Sequence, residues 1–447
     1  MQIDKLDIKN FKLFSEAEFS LDSRFNLIIG ENGSGKTSLL SAIAIALGGW
    51  AHAYIKDSKN LRPIEDNEIR EVQIDNTFDK TKETHIKATG KASVIDRNGE
   101  RKGVAASWHR TRLEGSDKTY TSGSIQYGSY PQIYTLHFET LGADILRFIE
   151  SGNDYSLPLI AFYECNRLWL PKNELNAEAS AKAKYSRFDP YVDCFHTAAD
   201  HQAVGEWILK HELASIQQNK ETPVLSAIKA AARAALEGCT GLQFDFEKSR
   251  IILAFENGDA IPFEHLSDGQ RTMLGLFCDL ARRAAILNPH LKSDASEKTK
   301  GVVLIDELDL HLHPKWQRRI IENLQTCFPN LQFICTTHSP FLIQSLREGK
   351  LIQLGDVSES NFYDSSIEDI VEDIQGVTLP QKSQRYTAMM NAAKTYYKAL
   401  NDAVEKHEDV EALKQALDEL TIPYGDDPAF SAQLKFEREL ALAKKGK

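Results

Sequence analysis

Residues 30 to 37 read Gly30-Glu31-Asn32-Gly33-Ser34-Gly35-Lys36-Thr37, a complete G-x-x-x-x-G-K-[ST] run. Its chemistry is phosphate binding. Glycines let the backbone fold around an anion with its N–H groups pointing inward, and a helix N-terminus behind them adds positive partial charge. Lys36 would reach the β- and γ-phosphates of a nucleotide, and Thr37 would offer its hydroxyl to Mg²⁺. The elements that must position this loop are present: an apolar strand-like run, Phe25 to Ile29, precedes it and a helix-like run, Ser38 to Leu47, follows. A glycine-rich surface turn would need neither, so strand, loop and helix in order favour the phosphate reading.

A second apolar run, Val302 to Ile305, has the character of a buried parallel strand and ends in the carboxylate pair Asp306-Glu307. Asp306 would face Thr37 across Mg²⁺, directly or through another ligand, and Glu307 would orient or deprotonate an attacking water. Between the two lies Leu266-Ser267-Asp268-Gly269-Gln270, just ahead of an amphipathic stretch from Arg271 to Ile286. Ser267 followed by Gln270 is also a capping box, and a capped helix end is itself able to bind phosphate. A further buried run, Leu331 to Thr336, leads into Thr337-His338-Ser339-Pro340. Taken alone, a histidine after a strand is more often structural.

In chain order these four segments resemble the ATP-binding cassette, in the branch that includes the chromosome-maintenance ATPases. The resemblance implies that Leu266–Gln270 is an L-S-G-G-Q type signature, with Asp268 departing from the usual glycine. Such a signature completes the nucleotide site of a second protomer, presenting the Ser267 hydroxyl and the Gly269 N–H to the γ-phosphate. His338 would then contact the γ-phosphate and the water-polarising glutamate. The implied site comprises Gly30, Asn32, Gly33, Ser34, Gly35, Lys36, Thr37 and Ser38, with Ser267, Gly269 and Gln270 of a second protomer. Lys36, Glu307 and His338 are the catalytic candidates, Thr37 and Asp306 the metal ligands, and ATP and Mg²⁺ the cofactors.

The wording of the motifs narrows the resemblance. Asp306-Glu307-Leu308-Asp309-Leu310-His311-Leu312-His313-Pro314, followed by Thr337–Pro340, is similar to the paired D-E-x-x-x-x-L-H-P and T-H-S-P motifs of ATP-binding proteins from bacterial defence and virulence loci. Leu157 to Tyr163, with Arg167 and Trp169 behind, is similar to a strand and arginine of the same group. Members include the ATPase subunit of the Septu anti-phage system, which works beside a separate HNH nuclease, and retron-associated relatives. The family implies ATP-sandwich dimers, a nuclease partner, a regulatory or sensing role in defence, and Asp309 in a D-loop crossing the dimer interface. No Q-loop residue stands out, Gln126 and Gln132 being the candidates. The alternative is a recombination-type DNA-repair ATPase that clamps DNA on ATP-driven dimerisation, from which Glu307 and the Pro314 tail depart. A transporter cassette is disfavoured by the long insertions between Gly35 and Ser267.

The surrounding chain predicts an α/β P-loop ATPase head spanning 1–375. Short alternating runs with turn signals predict an antiparallel β-subdomain over 71–132, and residues 175–240 read as a helical lid with an alanine-rich stretch, Ala227 to Leu236. Phe244 to Ile261 returns to strand alternation around Asn257-Gly258, and 291–300 reads as a polar surface loop. Residues 376–447 are expected to form a helical extension, with a stripe through Tyr386, Met389, Ala393, Tyr396 and Leu400, suited to docking a partner or packing on the core.

A net charge of -11 argues against a uniformly basic nucleic-acid binder. Two local basic groups remain: Arg97, Arg101, Lys102, His109, Arg110 and Arg112, and then Lys182, Lys184 and Arg187. Each reads either as a solvated face or as a nucleic-acid contact. Six cysteines without C-x-x-C spacing read as free thiols. No apolar run approaches the roughly 20 residues that span a bilayer, and Ile3, Leu6, Ile8 and Phe11 begin a strand with no signal peptide ahead of it. A cytoplasmic protein is expected.

Overall fold

The computed structural model describes residues 1–54, 62–95, 101–129, 132–165, 186–195, 201–248, 250–355 and 365–373, with a few positions beyond. It divides into two units, Met1–Asp364 and Ser365–Lys447. In the second, Ile367–Asp373 is helical around the buried Ile370. The tyrosine stripe and the rest of the extension expected over 376–447 lie almost wholly outside the described residues.

In the first unit, strand β1 (Gln2–Phe11) buries Ile3, Leu6, Ile8 and Phe11. A register shift between Ile3 and Lys5 brings Ile3 onto the same face as Leu6. β2 (Phe14–Ser20) returns antiparallel to it, and the fully buried β3 (Phe25–Ile29) leads into the phosphate loop. Helix α1 (Lys36–Tyr54) is buried continuously from Leu39 to Ala51. A helix that is apolar all round needs a partner on every side. One partner is a six-stranded antiparallel sheet; the other is the parallel core.

The antiparallel sheet follows a separate hairpin, β4 (Glu71–Ile74) and β5 (Thr77–Lys80), and comprises β6 (Glu83–Ile95), β7 (Arg101–Leu113), β8 (Tyr120–Ser129) and β9 (Gln132–His137), in the order β2-β1-β6-β7-β8-β9. It is therefore built on the N-terminal hairpin, Leu6 lying opposite Ala88, and is not a free-standing insert. Trp108 of β7 donates its indole N–H to the Ala46 carbonyl of α1 (2.9 Å) and meets Trp50 edge-on at 5.6 Å. Helix α2 (Phe138–Glu150) closes this half.

The parallel sheet has the order β10-β14-β15-β3-β16, from β10 (Leu159–Tyr163), β14 (Gly301–Ile305), β15 (Leu331–Thr336) and β16 (Lys350–Gln353). Every residue of β10, β14 and β15 is buried, as expected of parallel strands covered on both faces. Between β10 and β14 the chain forms helices α3 (His201–Gln218) and α4 (Pro223–Ala235), the small sheet β11 (Cys239–Asp245), β12 (Arg250–Phe255) and β13 (Ala260–Pro262), and helix α5 (Asp268–Leu287). Ala227, Ala231, Ala232 and Ala235 turn the alanine-rich stretch into a close-packing face of α4.

Residues 289–298 depart from the expected loop. A 3₁₀ turn, Pro289–Asp294, runs into a short helix, Ala295–Lys298, with Ala295, Ser296 and Thr299 buried. The reason is Asn288, buried at the end of α5, which recruits the Thr299 hydroxyl (2.9 Å) and draws the segment inward.

Candidate functional site

The phosphate loop leaves the C-terminal end of β3, where ligand sites of parallel sheets form. Gly33 and Gly35 hold φ of +82° and +101°, a region that side chains with a Cβ avoid. Glu31, Asn32 and Gly33 are exposed, and among the described residues no acceptor faces the N–H groups of Asn32, Gly33 or Gly35. The Ser34 hydroxyl is buried and unpartnered. Buried or oriented donors of this kind require an acceptor. Lys36 turns its ammonium back onto the carbonyls of Gly30 (2.8 Å) and Glu31 (2.9 Å). Burial lowers the Lys36 pKa, and Asp306 and Glu307 pull it back up.

The carboxylate strand does not neighbour the phosphate-loop strand. β15 lies between β14 and β3, and its last residue joins the two sides. Thr336, fully buried, donates to Asp306 Oδ1 (2.6 Å) and accepts from the Glu307 N–H (2.7 Å). The Thr37 hydroxyl donates to Asp306 Oδ2 at 3.2 Å. A hydroxyl and a carboxylate so placed are hard oxygen donors suited to Mg²⁺. Glu307 adopts φ of +50°, a strained backbone for a residue with a Cβ, and is only part-buried. His338 is exposed one strand over, and its N–H (3.4 Å) and the Thr337 hydroxyl both donate to Asp309. The five residues expected at the hydrolytic centre, Lys36, Thr37, Asp306, Glu307 and His338, thus stand at adjoining strand ends, and the expected D-loop residue Asp309 is hydrogen-bonded to the last of these segments.

The signature segment belongs to a different neighbourhood. Ser267 caps α5: its hydroxyl donates to Gln270 Oε1 (3.0 Å), and its N–H donates to the same oxygen (3.0 Å). Asp268 forms an ion pair with Arg271 on the same helix turn. Gly269 is buried for a reason its expected phosphate role does not supply: a Cβ there would lie 2.5 Å from the His311 carbonyl and 2.9 Å from the Trp316 ring. Ser267 to Gln270 line an 800 Å³ cavity with Glu237, His311, His313, Lys315 and Trp316, and no phosphate-loop residue borders it.

Residues 5–238 match a family model described as "AAA domain", and residues 207–344 match one described as "AAA domain, putative AbiEii toxin, Type IV TA system". The chain belongs to the AAA-domain family of P-loop ATPases. This AAA-domain chain is 26% identical over 394 residues to the retron Vc95 probable ATPase of Vibrio cholerae serotype O1 biovar El Tor, covering 77% of this chain and 72% of that one. It is 24% identical over 386 residues to the Septu protein PtuA of Bacillus thuringiensis, covering 85% and 82%. Among solved structures, the SMC head domain from Thermotoga maritima aligns with 80% of this chain and 96% of its own, at 15% identity and a TM-score of 0.41.

Two members of the first basic group of the AAA-domain chain do not present a solvated face. Arg110 and Arg112 are buried, and Arg112 donates to the carbonyls of Ile64 (2.7 Å) and Ser116 (2.8 Å) and to Asp66 (3.2 Å). Burial beside Arg62 lowers the Arg110 pKa to about 10. Arg187 is likewise spent on the carbonyls of Leu287 and Tyr155. Arg97, Arg167, Trp169, Lys182 and Lys184 lie outside the described residues. Gln126 and Gln132 fall within β8 and at the start of β9. All six cysteines are free, and burial pushes the Cys327 thiol up to about 12. No described helix is long and apolar enough to cross a membrane.

Three contributors were missed by sequence reasoning. Thr336 fastens the Asp306 carboxylate and the Glu307 main-chain N–H, and Gln317 bridges the carbonyl of Leu312 (2.8 Å) to the Ser339 hydroxyl (2.7 Å). Tyr163 holds the Asp306 N–H with its own carbonyl (2.8 Å). The only signal for Thr336 was a hydroxyl ending an otherwise apolar strand.

Proposed function

We propose that the protein is a cytoplasmic Mg²⁺-dependent ATPase, the regulatory subunit of an anti-phage defence complex that includes a separate HNH-type nuclease. The observation that carries the ATPase part is the 3.2 Å approach of Thr37 Oγ1 to Asp306 Oδ2 beside the phosphate loop. Similarity to retron ATPases and to Septu PtuA supports the defence assignment, and residues 376–447 are the proposed docking segment for the nuclease.

The chemistry follows from where the groups stand. Lys36 exchanges its two carbonyl partners for the β- and γ-phosphates, and the free loop N–H groups take the remaining phosphate oxygens. Thr37 and Asp306 would hold Mg²⁺, which supplies charge neutralisation on the phosphates. Glu307, with Asp306 held in place by Thr336, orients the water for in-line attack on the γ-phosphate, and His338 positions the same water from the neighbouring strand. Ser267, Gly269 and Gln270 of a second protomer, with its Asp309, close the site as a sandwich. The separate setting of the signature, away from its own phosphate loop, supports a role in trans.

The test has two parts, one variant and one co-expression. Glu307→Gln is expected to keep ATP affinity and to slow turnover by roughly 100-fold or more, because only the water-activating group is lost. Co-expression of the full chain with the product of an adjacent nuclease gene is expected to give one complex. Equal loss of ATP binding and turnover in Glu307→Gln would reject the role given to that residue.

A further inference from the structure

Helix α5 carries the signature at its N-terminus, and polar groups fasten its other parts along strand β10. At one end, Asn288 accepts the Leu157 N–H (2.7 Å) and donates to the Leu157 carbonyl (3.0 Å). Further along, the Tyr163 hydroxyl donates to Asp279 Oδ2 (2.7 Å), with both side chains fully buried. Asp279 also accepts from Arg282 (2.7 Å) and Arg283 (2.7 Å), and Arg283 grips Asp193 through both its oxygens and the Pro190 carbonyl (2.9 Å). Tyr163 is the residue whose carbonyl accepts the Asp306 N–H. One residue thus holds the metal-side carboxylate by its main chain and the signature helix by its side chain.

We propose that Tyr163 and Asp279 are positioning residues that set Ser267 relative to Asp306 by fixing the register of α5 on β10. Ser267 lies twelve residues before Asp279, about 18 Å along the helix axis, so a small tilt at the fastening moves the signature by a comparable angle. Apolar side chains of similar size would fill this space at less desolvation cost, and what a buried ionic network adds is one defined register. Burial alone would raise the Asp279 carboxyl, but Arg283 and Arg282 hold it well below the usual carboxylate range. The network is therefore a fixed brace at neutral pH and does not act as a titrating switch.

This inference rests on the ATP-sandwich reading, and the experiment separates the two. Tyr163→Phe removes one hydroxyl and keeps the ring. In a Ser267→Arg background, where no sandwich closes, its ATP affinity is expected to stay within about twofold of the parent. With Ser267 intact, kcat is expected to fall about five- to tenfold, KM to hold, and ATP-dependent association to need about five- to tenfold more protein. Equal losses of ATP affinity in both backgrounds, or unchanged kcat and association, would overturn the proposal. Should Tyr163→Phe not fold, hydrogen exchange of the Ser267→Arg protein decides: ATP is expected to protect the first turns of α5 and residues 189–193, and unaltered exchange there overturns the proposal. Absence of ATP binding in the unmodified protein would instead overturn the ATPase reading itself.

Discussion

The phosphate loop and the signature turn are both helix N-termini with glycines, yet their donors are disposed differently. At the loop, the N–H groups of Asn32, Gly33 and Gly35 face no protein acceptor among the described residues, and Thr37 already reaches the carboxylate across the sheet. At the signature, Ser267 is satisfied by its own Gln270, and Gly269 is covered by Trp316. One end turns its backbone donors outward, as an anion site would require. The other is closed on itself and borders a different cavity, the arrangement expected of the proposed role in a second protomer's site.

The largest break in this contrast should come from Lys36→Ala, which removes the one ammonium of the loop. ATP affinity is expected to fall by about two orders of magnitude or more, measured by calorimetry, whereas Ser267→Arg should leave it within a few-fold. If the two variants lost affinity equally, the separation of the ends would be wrong.

Thr336→Val tests the fastening on the loop side. It deletes the donor to Asp306 and the acceptor for the Glu307 N–H while keeping the strand's shape. A fall in kcat of roughly ten- to 100-fold, with about 1–3 kcal/mol lost in denaturant unfolding, is expected from two buried partners left unmade.

Gly269→Ala sharpens the signature side. A Cβ pressed against the His311 carbonyl and the Trp316 ring should cost about 1–3 kcal/mol of stability. ATP affinity of the single protomer should be unchanged, and ATP-dependent association should weaken. Retained association would mean that the turn is less rigid than its packing implies.

The smallest effect concerns acid. On α3, behind the signature helix, burial and Lys210 hold His211 at a pKa of about 4, below its ordinary 6.5. A depressed folded-state pKa means that the unfolded chain takes up the proton first, so stability is full above pH 6.5 and declines as pH falls toward 4. His211→Gln should flatten that part of a melting-temperature profile. An unchanged slope between those pH values would place the acid sensitivity elsewhere.

What the sequence could reveal follows from what each segment must satisfy. Phe25–Ile29, Val302–Ile305 and Leu331–Thr336 are buried on both faces, so their apolar runs were visible without any partner, and the loop residues declared themselves by motif. The bracing was not visible. Tyr163 and Asp279 lie 116 positions apart, and neither residue type announces a buried pair. Arg110 and Arg112 looked like solvated charge because their acceptors, carbonyls near residue 64, carry no sequence signature. Residues 291–300 read as a loop because polarity hid the pull of one buried asparagine.

Complementation in a mixture tests the central claim most directly. The Lys36→Ala protein keeps an intact signature, and the Ser267→Arg protein keeps an intact phosphate loop, so each alone should hydrolyse almost no ATP. Mixed in equal amounts, they can form one composite site per dimer, and ATPase activity is expected to reappear as a substantial fraction of the unmodified rate. A mixture no more active than its components, with both proteins folded and Ser267→Arg still binding ATP, would contradict the account.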